Sequence, residues 1–149
     1  MNFLSFEEKL GSFSRSIFVT WARLSLFIIY FWFGILKILG FSPATQLVHN
    51  LFDVTINFMP FDTFFILFSC FEVLIGILFL FPRLTNIAVP LVFLHIFTTT
   101  MPLVLLPGEI WTSFMVPTLE GQYIIKNLLI IACALGVVGY QKKKPSTIL

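Results

Sequence analysis

The chain has 149 residues, of which 58% are hydrophobic and only 11% are charged, and its formal net charge is +2. Soluble domains carry roughly 25% charged residues, so this composition excludes an ordinary soluble surface and predicts the lipid bilayer as the main partner. So small a net charge gives no reason to expect a nucleic-acid partner, and the length fits one domain, residues 1–149.

Four apolar segments are long enough to cross a membrane, which takes about 20 residues of helix. They cover residues 17–39, 63–81, 86–106 and 122–140. Lipid offers no hydrogen-bonding partner to backbone N–H and C=O groups, so spans of this kind must be helices. The sequence therefore predicts an all-α polytopic membrane protein, a single transmembrane domain built as a four-helix bundle.

Two further segments have the pattern of helices that lie on the membrane surface. Residues 3–14 carry apolar side chains at helical spacing, at Phe3, Phe6, Leu10 and Phe13. Residues 43–58, in the first outer loop, follow Ser42 as a predicted N-cap, with Pro43 as the predicted first helical residue. The apolar stripe of this second helix is Leu47, Leu51, Val54 and Phe58. It either packs on the bundle or forms a lid over an outward-facing cavity.

Charge divides the loops into two classes. The N-terminus, the turn after the second span and the C-terminus are basic, with Lys9, Arg15, Arg83 and Lys142–Lys144. The other two loops contain no Lys or Arg and hold Asp53, Asp62, Glu109 and Glu120. Because basic loops stay in the cytoplasm, we expect a multi-pass protein of the inner (plasma) membrane with both termini cytoplasmic. Trp111, in the second outer loop, is expected at the level of the lipid headgroups.

Five ionisable residues fall inside the predicted spans, where a charge is costly: Arg23, Lys37, Glu72, His95 and Lys126. At about 100° per residue, each helix carries one stripe of polar or small residues, and we expect the four stripes to face one another. The stripe of the fourth helix is Gln122, Lys126, Cys133 and Tyr140. Three glycines are expected to let the helices approach closely: Gly34, Gly76 and Gly136.

Lys37 and Glu72 are predicted to share one buried polar network. Helical side chains lean toward the N-terminus of their helix, so these two lean toward each other across an axial gap of roughly 13 Å. The bridge between them is direct or runs through water, Tyr30 or Lys126. Arg23 is expected to snorkel to the cytoplasmic surface, while Lys126 either snorkels outward or joins the network.

His95 and the two cysteines each have a structural and a functional interpretation. His95 follows Pro90, a predicted kink, and is expected to bond a neighbouring helix. It could instead serve as a proton carrier or as a quinone partner, whereas a haem ligand is less favoured. Cys70 and Cys133 are expected to pack as small apolar residues and not to form a redox pair. No spacing predicts a metal site.

Short motifs on three of the four helices resemble those of a known family. They are Arg23 with Gly34-Ile35-Leu36-Lys37, then Glu72-Val73-Leu74-Ile75-Gly76, then Gly121-Gln122-Tyr123-Ile124-Ile125-Lys126-Asn127. Over residues 23–138 the chain resembles the DoxX-like family of small four-helix membrane proteins. The resemblance implies a redox-associated membrane subunit, since the family takes its name from a subunit of a thiosulfate:quinone oxidoreductase.

Three functions are compatible with this pattern. The first is a redox-associated subunit that binds a quinone or a small sulfur or thiol compound, and its excess of basic groups suits an anion such as thiosulfate. The predicted ligand-binding residues are Lys37, Glu72, His95, Lys126 and Tyr30, with Arg23, Gly34 and Gly76 as structural ones. No intrinsic cofactor is expected, so electrons would come from redox partner subunits; a homo-oligomer is the other expected assembly. The alternatives are a proton-coupled transporter subunit, for which neither repeats nor broken helices are evident, and a structural scaffold.

Overall fold

The computed structural model describes residues 3–56 and 58–142. The long helices are α1 (Phe3–Ile38), α3 (Phe61–Leu80), α4 (Thr85–Thr100) and α8 (Asn127–Lys142). The all-α class predicted from the sequence is confirmed. Shorter elements lie in the connections or at the ends of the spans. They are α2 (Thr45–Thr55), a 3₁₀ turn (Pro82–Leu84), α5 (Pro102–Leu105), α6 (Pro107–Ile110), β1 (Trp111–Ser113), β2 (Val116–Pro117) and α7 (Leu119–Ile125).

Four helical segments of the described chain are long and apolar enough to cross a membrane. They are Ile17–Ile38, Phe61–Leu80, Pro82–Leu105 and Leu119–Tyr140. Each agrees with its predicted span to within about one helical turn of 3.6 residues. Large apolar side chains on their outer faces, among them Trp21, Trp32 and Phe97, are exposed in the isolated chain. The protein is therefore a multi-pass membrane protein whose exposed apolar surface faces lipid.

The four spans form a closed bundle, in which α1 and α4 each pack against both α3 and α8. The interior is filled by buried apolar side chains from all four helices, namely Leu26, Tyr30, Ile75, Phe79, Ala88, Val89, Val92, Ile96 and Ala134. We call the end of the bundle that carries α2 and the β1–β2 hairpin the loop end. We call the opposite end, which carries the 3₁₀ turn Pro82–Leu84, the turn end.

Two glycines set the close contact between α1 and α3. A Cβ on Gly34 would lie 2.9 Å from the carbonyl oxygen of Ser69, and a Cβ on Gly76 would lie 2.7 Å from the backbone nitrogen of Phe31. Any side chain at either position would force the helices apart. The close approach predicted for Gly34 and Gly76 is therefore confirmed. At Gly136 a Cβ would lie 2.7 Å from the Phe18 ring, so this glycine makes room for a side chain and not for a neighbouring backbone.

The separate N-terminal surface helix predicted over residues 3–14 is wrong. The chain continues without a break through α1, which spans 36 residues. No proline interrupts this stretch, so nothing in it forces the helix to end. A helix of this length is about 54 Å long and exceeds a hydrocarbon core of about 30 Å. Its first part therefore extends beyond the core at the turn end. The apolar stripe predicted there falls on side chains outside the described ones.

The helix predicted over residues 43–58 is present but shorter, at Thr45–Thr55. The Ser42 hydroxyl accepts a hydrogen bond from the N–H of Ala44 at 3.3 Å, and so it closes a turn before the helix. The predicted apolar stripe is wrong at Val54 and Phe58, which are exposed, whereas Leu47 and Leu51 are half-buried. The buried residue of the helix is Phe52. Phe52 packs on the aromatic rings of Phe61 and Phe64 at the start of α3, which rotates the packed face of α2. Asn57 lies outside the described residues.

The second loop contains a short β-hairpin that the sequence analysis did not predict. Strands β1 and β2 pair in antiparallel fashion, and Met115 at the tip has a φ of 60°. The indole N–H of Trp111 donates to the carbonyl of Leu103 at 3.1 Å. In a continuing helix that carbonyl would accept from residue 107, which is a proline and has no N–H. Trp111 thus satisfies a carbonyl that Pro107 leaves free; the depth of its ring in the membrane stays a prediction.

Two of the spans contain a one-residue interruption of their helical hydrogen bonding, at which the backbone keeps a right-handed helical conformation. The third is divided at Met101, before Pro102, and the fourth at Lys126, between α7 and α8. An amide–hydroxyl hydrogen bond from Asn127 to Thr99, at 3.3 Å, joins the two helices beside these interruptions. Both interruptions lie at the loop end. Inverted repeats would place equivalent breaks at opposite ends, so these breaks do not have that symmetry.

Candidate functional site

Three charged or titratable side chains meet inside the bundle, and we call them the Glu72 triad: Lys37, Glu72 and His95. Nζ of Lys37 lies 2.6 Å from Oε1 and 2.5 Å from Oε2 of Glu72. Nε2 of His95 lies 2.8 Å from Oε1 of the same carboxylate. All three residues are more than nine-tenths buried. The predicted buried link between Lys37 and Glu72 is confirmed, and it is direct.

The packing of α1 on α3 explains how Lys37 reaches Glu72. Gly34 packs between Ser69 and Val73, which places Phe33 at the level of Glu72. Lys37 is four residues farther along α1, an axial distance of about 6 Å. The larger gap expected from the sequence was wrong because it assumed that the spans begin at equal depths, whereas the glycine contacts set the register. The long lysine side chain leans back toward the N-terminus of α1 and covers this distance.

His95 is placed by α4, opposite α1 and beside α3. The helix continues through Pro90, and the hydroxyls of Thr98 and Thr99 donate to the carbonyl of His95 at 2.7 and 3.0 Å. The expectation that His95 bonds a neighbouring helix is confirmed, since its partner Glu72 belongs to α3. Its backbone is therefore held by its own helix while its ring is held by the next one.

The contacts of Glu72 decide which nitrogen of His95 carries the proton. A carboxylate that accepts two bonds from an ammonium group can only accept, so Nε2–H of His95 must donate to it. The charges of Lys37 and Glu72 cancel, and a neutral imidazole keeps the whole triad neutral in a low-dielectric interior. A neutral imidazole protonated at Nε2 presents Nδ1 as a hydrogen-bond acceptor.

Aromatic rings enclose the triad. The ring of Phe68 stacks on His95, with centroids 5.2 Å apart, and the rings of Tyr30 and His95 form a T-shaped pair with centroids 5.0 Å apart. Phe71 lies 6.4 Å from His95, and Nζ of Lys37 lies 5.5 Å from the centroid of Phe68. Phe68 and Phe71 are half-buried, so they form the outer part of this enclosure. Neither ring was predicted to belong to the site, although Phe68 precedes Glu72 by one helical turn and shares its face.

Two buried polar atoms beside the triad have no hydrogen-bond partner within the described part of the chain. They are the hydroxyl of Tyr30 and Nδ1 of His95. Leaving such groups unpaired costs roughly 1–3 kcal/mol each, so buried polar atoms of this kind normally have partners. The hydroxyl can donate and Nδ1 can accept. Each of these atoms is therefore able to form one further hydrogen bond.

Arg23 does not snorkel to water as expected but binds protein at the turn end. Its guanidinium donates to the carbonyl of Phe79 at 3.1 Å and to the hydroxyl of Thr85 at 2.6 Å. The first of these groups belongs to the last turn of α3, where helix carbonyls lack partners and cations are favourable. Arg23 thus links α1 to the α3–α4 turn, in keeping with the structural role predicted for it. Its two partners were not predicted, because both are distant along the chain.

Lys126 does not join the Glu72 triad. Its side chain is exposed, and its Nζ lies 4.8 Å from the centroid of the neighbouring Tyr123 ring. The polar stripe predicted to face the interior therefore points outward at Gln122 and Lys126. The buried positions of α7 and α8 are instead small or branched apolar residues and a glycine, namely Gly121, Ile124, Ala134 and Val137.

The cysteines lie outside the triad and form no disulfide with each other. Cys70 is exposed on α3 and Cys133 is half-buried on α8. Over residues 3–56 and 58–142, no three His, Cys, Asp or Glu side chains are grouped so as to hold a metal ion. The polar groups that the described residues bring together inside the bundle are those of the Glu72 triad and Tyr30.

Comparisons of this chain with protein-family models, with curated proteins and with solved structures gave no match. The resemblance to the DoxX-like family therefore stays a prediction from the sequence.

Proposed function

We propose that this protein is a redox-associated membrane subunit, of the DoxX-like kind, whose bundle binds the headgroup of a membrane quinone. The site is the Glu72 triad together with Tyr30. The observation that carries the proposal is the pair of buried, unpartnered polar atoms, the Tyr30 hydroxyl and His95 Nδ1. A quinone oxygen accepts a hydrogen bond when oxidised and donates one when reduced, so this donor–acceptor pair suits both forms.

The surrounding side chains also favour a flat, uncharged ring over an anion. Glu72 neutralises Lys37, and Lys126 lies elsewhere, so the excess of positive charge that would suit thiosulfate is not assembled. The enclosing side chains are aromatic, from Phe68, Phe71 and Tyr30, and aromatic faces pack well on other flat rings. A quinone headgroup therefore matches this site better than a small sulfur anion does.

His95 is the group that handles the proton. Oxidation of a bound quinol to quinone releases two protons and two electrons. One hydroxyl proton passes to Nδ1 of His95, where the resulting imidazolium is stabilised by the Glu72 carboxylate at 2.8 Å. The proton of the other hydroxyl is released to water at the membrane surface. Lys37 holds that carboxylate in place through its ammonium group. The two electrons leave to a redox centre of a partner subunit, because the protein side chains of the site carry none. Reduction of quinone follows the same path in reverse.

The proposed setting is the inner membrane, with both termini and the turn end in the cytoplasm. Support comes from the basic residues of the termini and of the Pro82–Leu84 turn, which includes Arg83. The loop end carries acidic side chains, including Asp53, Asp62 and Glu109. In this orientation the Glu72 triad lies nearer the middle of the bundle than either surface, so its ligand enters from the lipid.

The proposal is tested by purifying the protein in native lipid and measuring the quinone that accompanies it. We expect wild type to retain quinone in near-stoichiometric amount and Glu72→Gln to lose most of it, because the glutamine removes the negative charge that stabilises His95. Asp62→Asn is the matched control, since Asp62 is an exposed acid on the same helix, and it should retain wild-type quinone. Equal quinone in wild type and Glu72→Gln contradicts the proposal.

A proton-coupled transporter subunit is the second candidate, because the carboxylate of Glu72 and the imidazole of His95 are joined by a hydrogen bond inside the bundle and buried titratable groups of this kind form proton paths through membranes. The Glu72 triad would then carry the transported proton. Liposomes decide between the two functions. Uptake driven by a proton gradient without any redox partner supports transport, whereas its absence together with quinone binding supports the redox role.

A further inference from the structure

The fourth span presents the most open surface of the bundle. In its most apolar stretch 17% of the residues are buried, against 28–33% in the other three spans. Most of that open surface is aliphatic, including Leu128 and Leu129. Near the loop end, however, three exposed polar or aromatic residues share one side of the helix: Gln122, Tyr123 and Lys126. They lie three and four residues apart and are therefore neighbours on the helix surface.

Lys126 lies at a depth where a cation needs a counter-charge. It follows the first residue of the span, Leu119, by seven positions, an axial distance of about 10 Å. An exposed ammonium at this depth would face acyl chains, which is unfavourable unless the side chain snorkels or pairs. No acidic side chain of the described residues pairs with it.

The lysine side chain extends toward the loop end of the span. Its Nζ is 4.8 Å from the ring centroid of Tyr123, which is three residues nearer the loop end. The ammonium thus extends toward the edge of the span, over an aromatic ring of the kind that lies at the lipid headgroups. The negative group present at this level throughout a bilayer is the phosphate of the phospholipids.

We propose that Gln122, Tyr123 and Lys126 bind the phosphate of one phospholipid at the loop end. The ammonium of Lys126 pairs with the phosphate, and the Tyr123 hydroxyl and Gln122 amide supply further hydrogen-bond donors. The acyl chains lie along the exposed leucines of α8. This site is separate from the Glu72 triad and does not depend on quinone binding.

The test is native mass spectrometry of the purified protein in detergent, titrated with phosphatidylglycerol or with a diacylglycerol of the same acyl chains. Wild type should bind phosphatidylglycerol about fivefold more tightly than Lys126→Met, which corresponds to about 1 kcal/mol for one lysine at the membrane surface. Lys126→Arg should keep the binding, and so should the control Leu129→Met, which alters the same face without altering charge. The proposal is overturned if wild type binds the two lipids equally. It is also overturned if Lys126→Met binds phosphatidylglycerol as tightly as wild type does.

Photocrosslinking identifies what covers this face in the native membrane. A benzophenone amino acid placed at Tyr123 in cells should crosslink to phospholipid, giving a small mass increase that phospholipase removes. A crosslink to a protein, either a second copy of the chain or another subunit, would overturn the lipid assignment, because the lysine would then face a protein acid. In the titration, unchanged binding by Lys126→Arg shows that position 126 tolerates substitution, so that lost binding by Lys126→Met is not the result of a failed fold.

Discussion

The ammonium of Lys37 lies 2.6 Å from Oε1 of Glu72, although Lys37 is the last residue but one of α1 and Glu72 lies near the middle of α3. Glycines on both helices bring the two backbones close enough for this contact. The same carboxylate holds His95. One acid therefore ties together three of the four spans and fixes the tautomer of the histidine beside the unpartnered Tyr30 hydroxyl.

The Lys37–Glu72 pair should be strongly coupled in stability. Lys37→Met or Glu72→Gln alone leaves an uncompensated buried charge, and we expect each to cost roughly 3–5 kcal/mol. The double variant Lys37→Met/Glu72→Gln removes both charges and leaves His95 an amide oxygen to bond, so it should lie within about 1 kcal/mol of wild type. Unfolding in a mild detergent, followed by circular dichroism, measures the cycle; additive single effects would show that the pair is not coupled.

The same double variant separates the redox function from a scaffold. If the polar residues only fix the helix register, a folded Lys37→Met/Glu72→Gln protein should support the cell as well as wild type does. The quinone proposal expects it to fold but to lose quinone, because the imidazolium formed at His95 no longer has a carboxylate beside it.

Removing the Tyr30 hydroxyl should have opposite effects on stability and on binding. Without ligand, this hydroxyl is buried and lacks a partner, so Tyr30→Phe should leave stability unchanged or raise it by up to about 1 kcal/mol. With quinone, a hydrogen bond is lost, and affinity should fall about tenfold. Tyr140→Phe, at an exposed position on α8, is the control and should change neither. A destabilised Tyr30→Phe would show that the hydroxyl has a protein partner.

The α1–α3 contact should not tolerate a methyl group. We expect Gly34→Ala and Gly76→Ala to destabilise the bundle by roughly 1–3 kcal/mol each, because each Cβ would meet backbone atoms within 3 Å. Gly139→Ala, where nothing lies within 4 Å, should be neutral or stabilising through helix propensity. Thermal unfolding of the three variants in one detergent checks this order, and a loss at Gly139 equal to that at Gly34 would contradict it.

Arg23 should act as a clamp at the turn end. Arg23→Met leaves the Phe79 carbonyl and the Thr85 hydroxyl without their donor, and we expect a loss of roughly 1–3 kcal/mol. Arg83→Met removes an equal charge from an exposed position in the same turn and should cost little. Equal effects in the two variants would mean that net charge, not the specific bonds of Arg23, stabilises this end.

The spans and the pairing of Lys37 with Glu72 were predictable from the sequence because they follow from helix length and helix geometry. Span lengths follow from the hydrocarbon thickness, and the meeting of Lys37 with Glu72 follows from the direction in which helical side chains lean. The close approach at Gly34 and Gly76 follows from their lack of a side chain. His95 was correctly expected to bond a neighbouring helix, although the acceptor on that helix was left open.

The features that the sequence did not predict depend on which face of an element packs inward. Lys126 points outward because α8 packs through Ala134 and Val137, and a polar stripe alone does not reveal that choice. The packed face of α2 follows from the rings at the start of α3, with Phe52 against Phe64. The hairpin was not predicted for a different reason. Its turn requires a positive φ at Met115, and a methionine in the sequence does not indicate such a conformation.

The central claim, a quinone headgroup between Tyr30 and His95, is tested most directly with a photoreactive azidoquinone. The protein is labelled in nanodiscs, and the modified peptides are mapped by mass spectrometry. We predict labels on the part of α1 that contains Tyr30 and on the part of α4 that contains His95, abolished by excess unlabelled quinone and by Glu72→Gln. Labels confined to lipid-facing residues such as Trp21 and Trp32, and equal in Glu72→Gln, would contradict it.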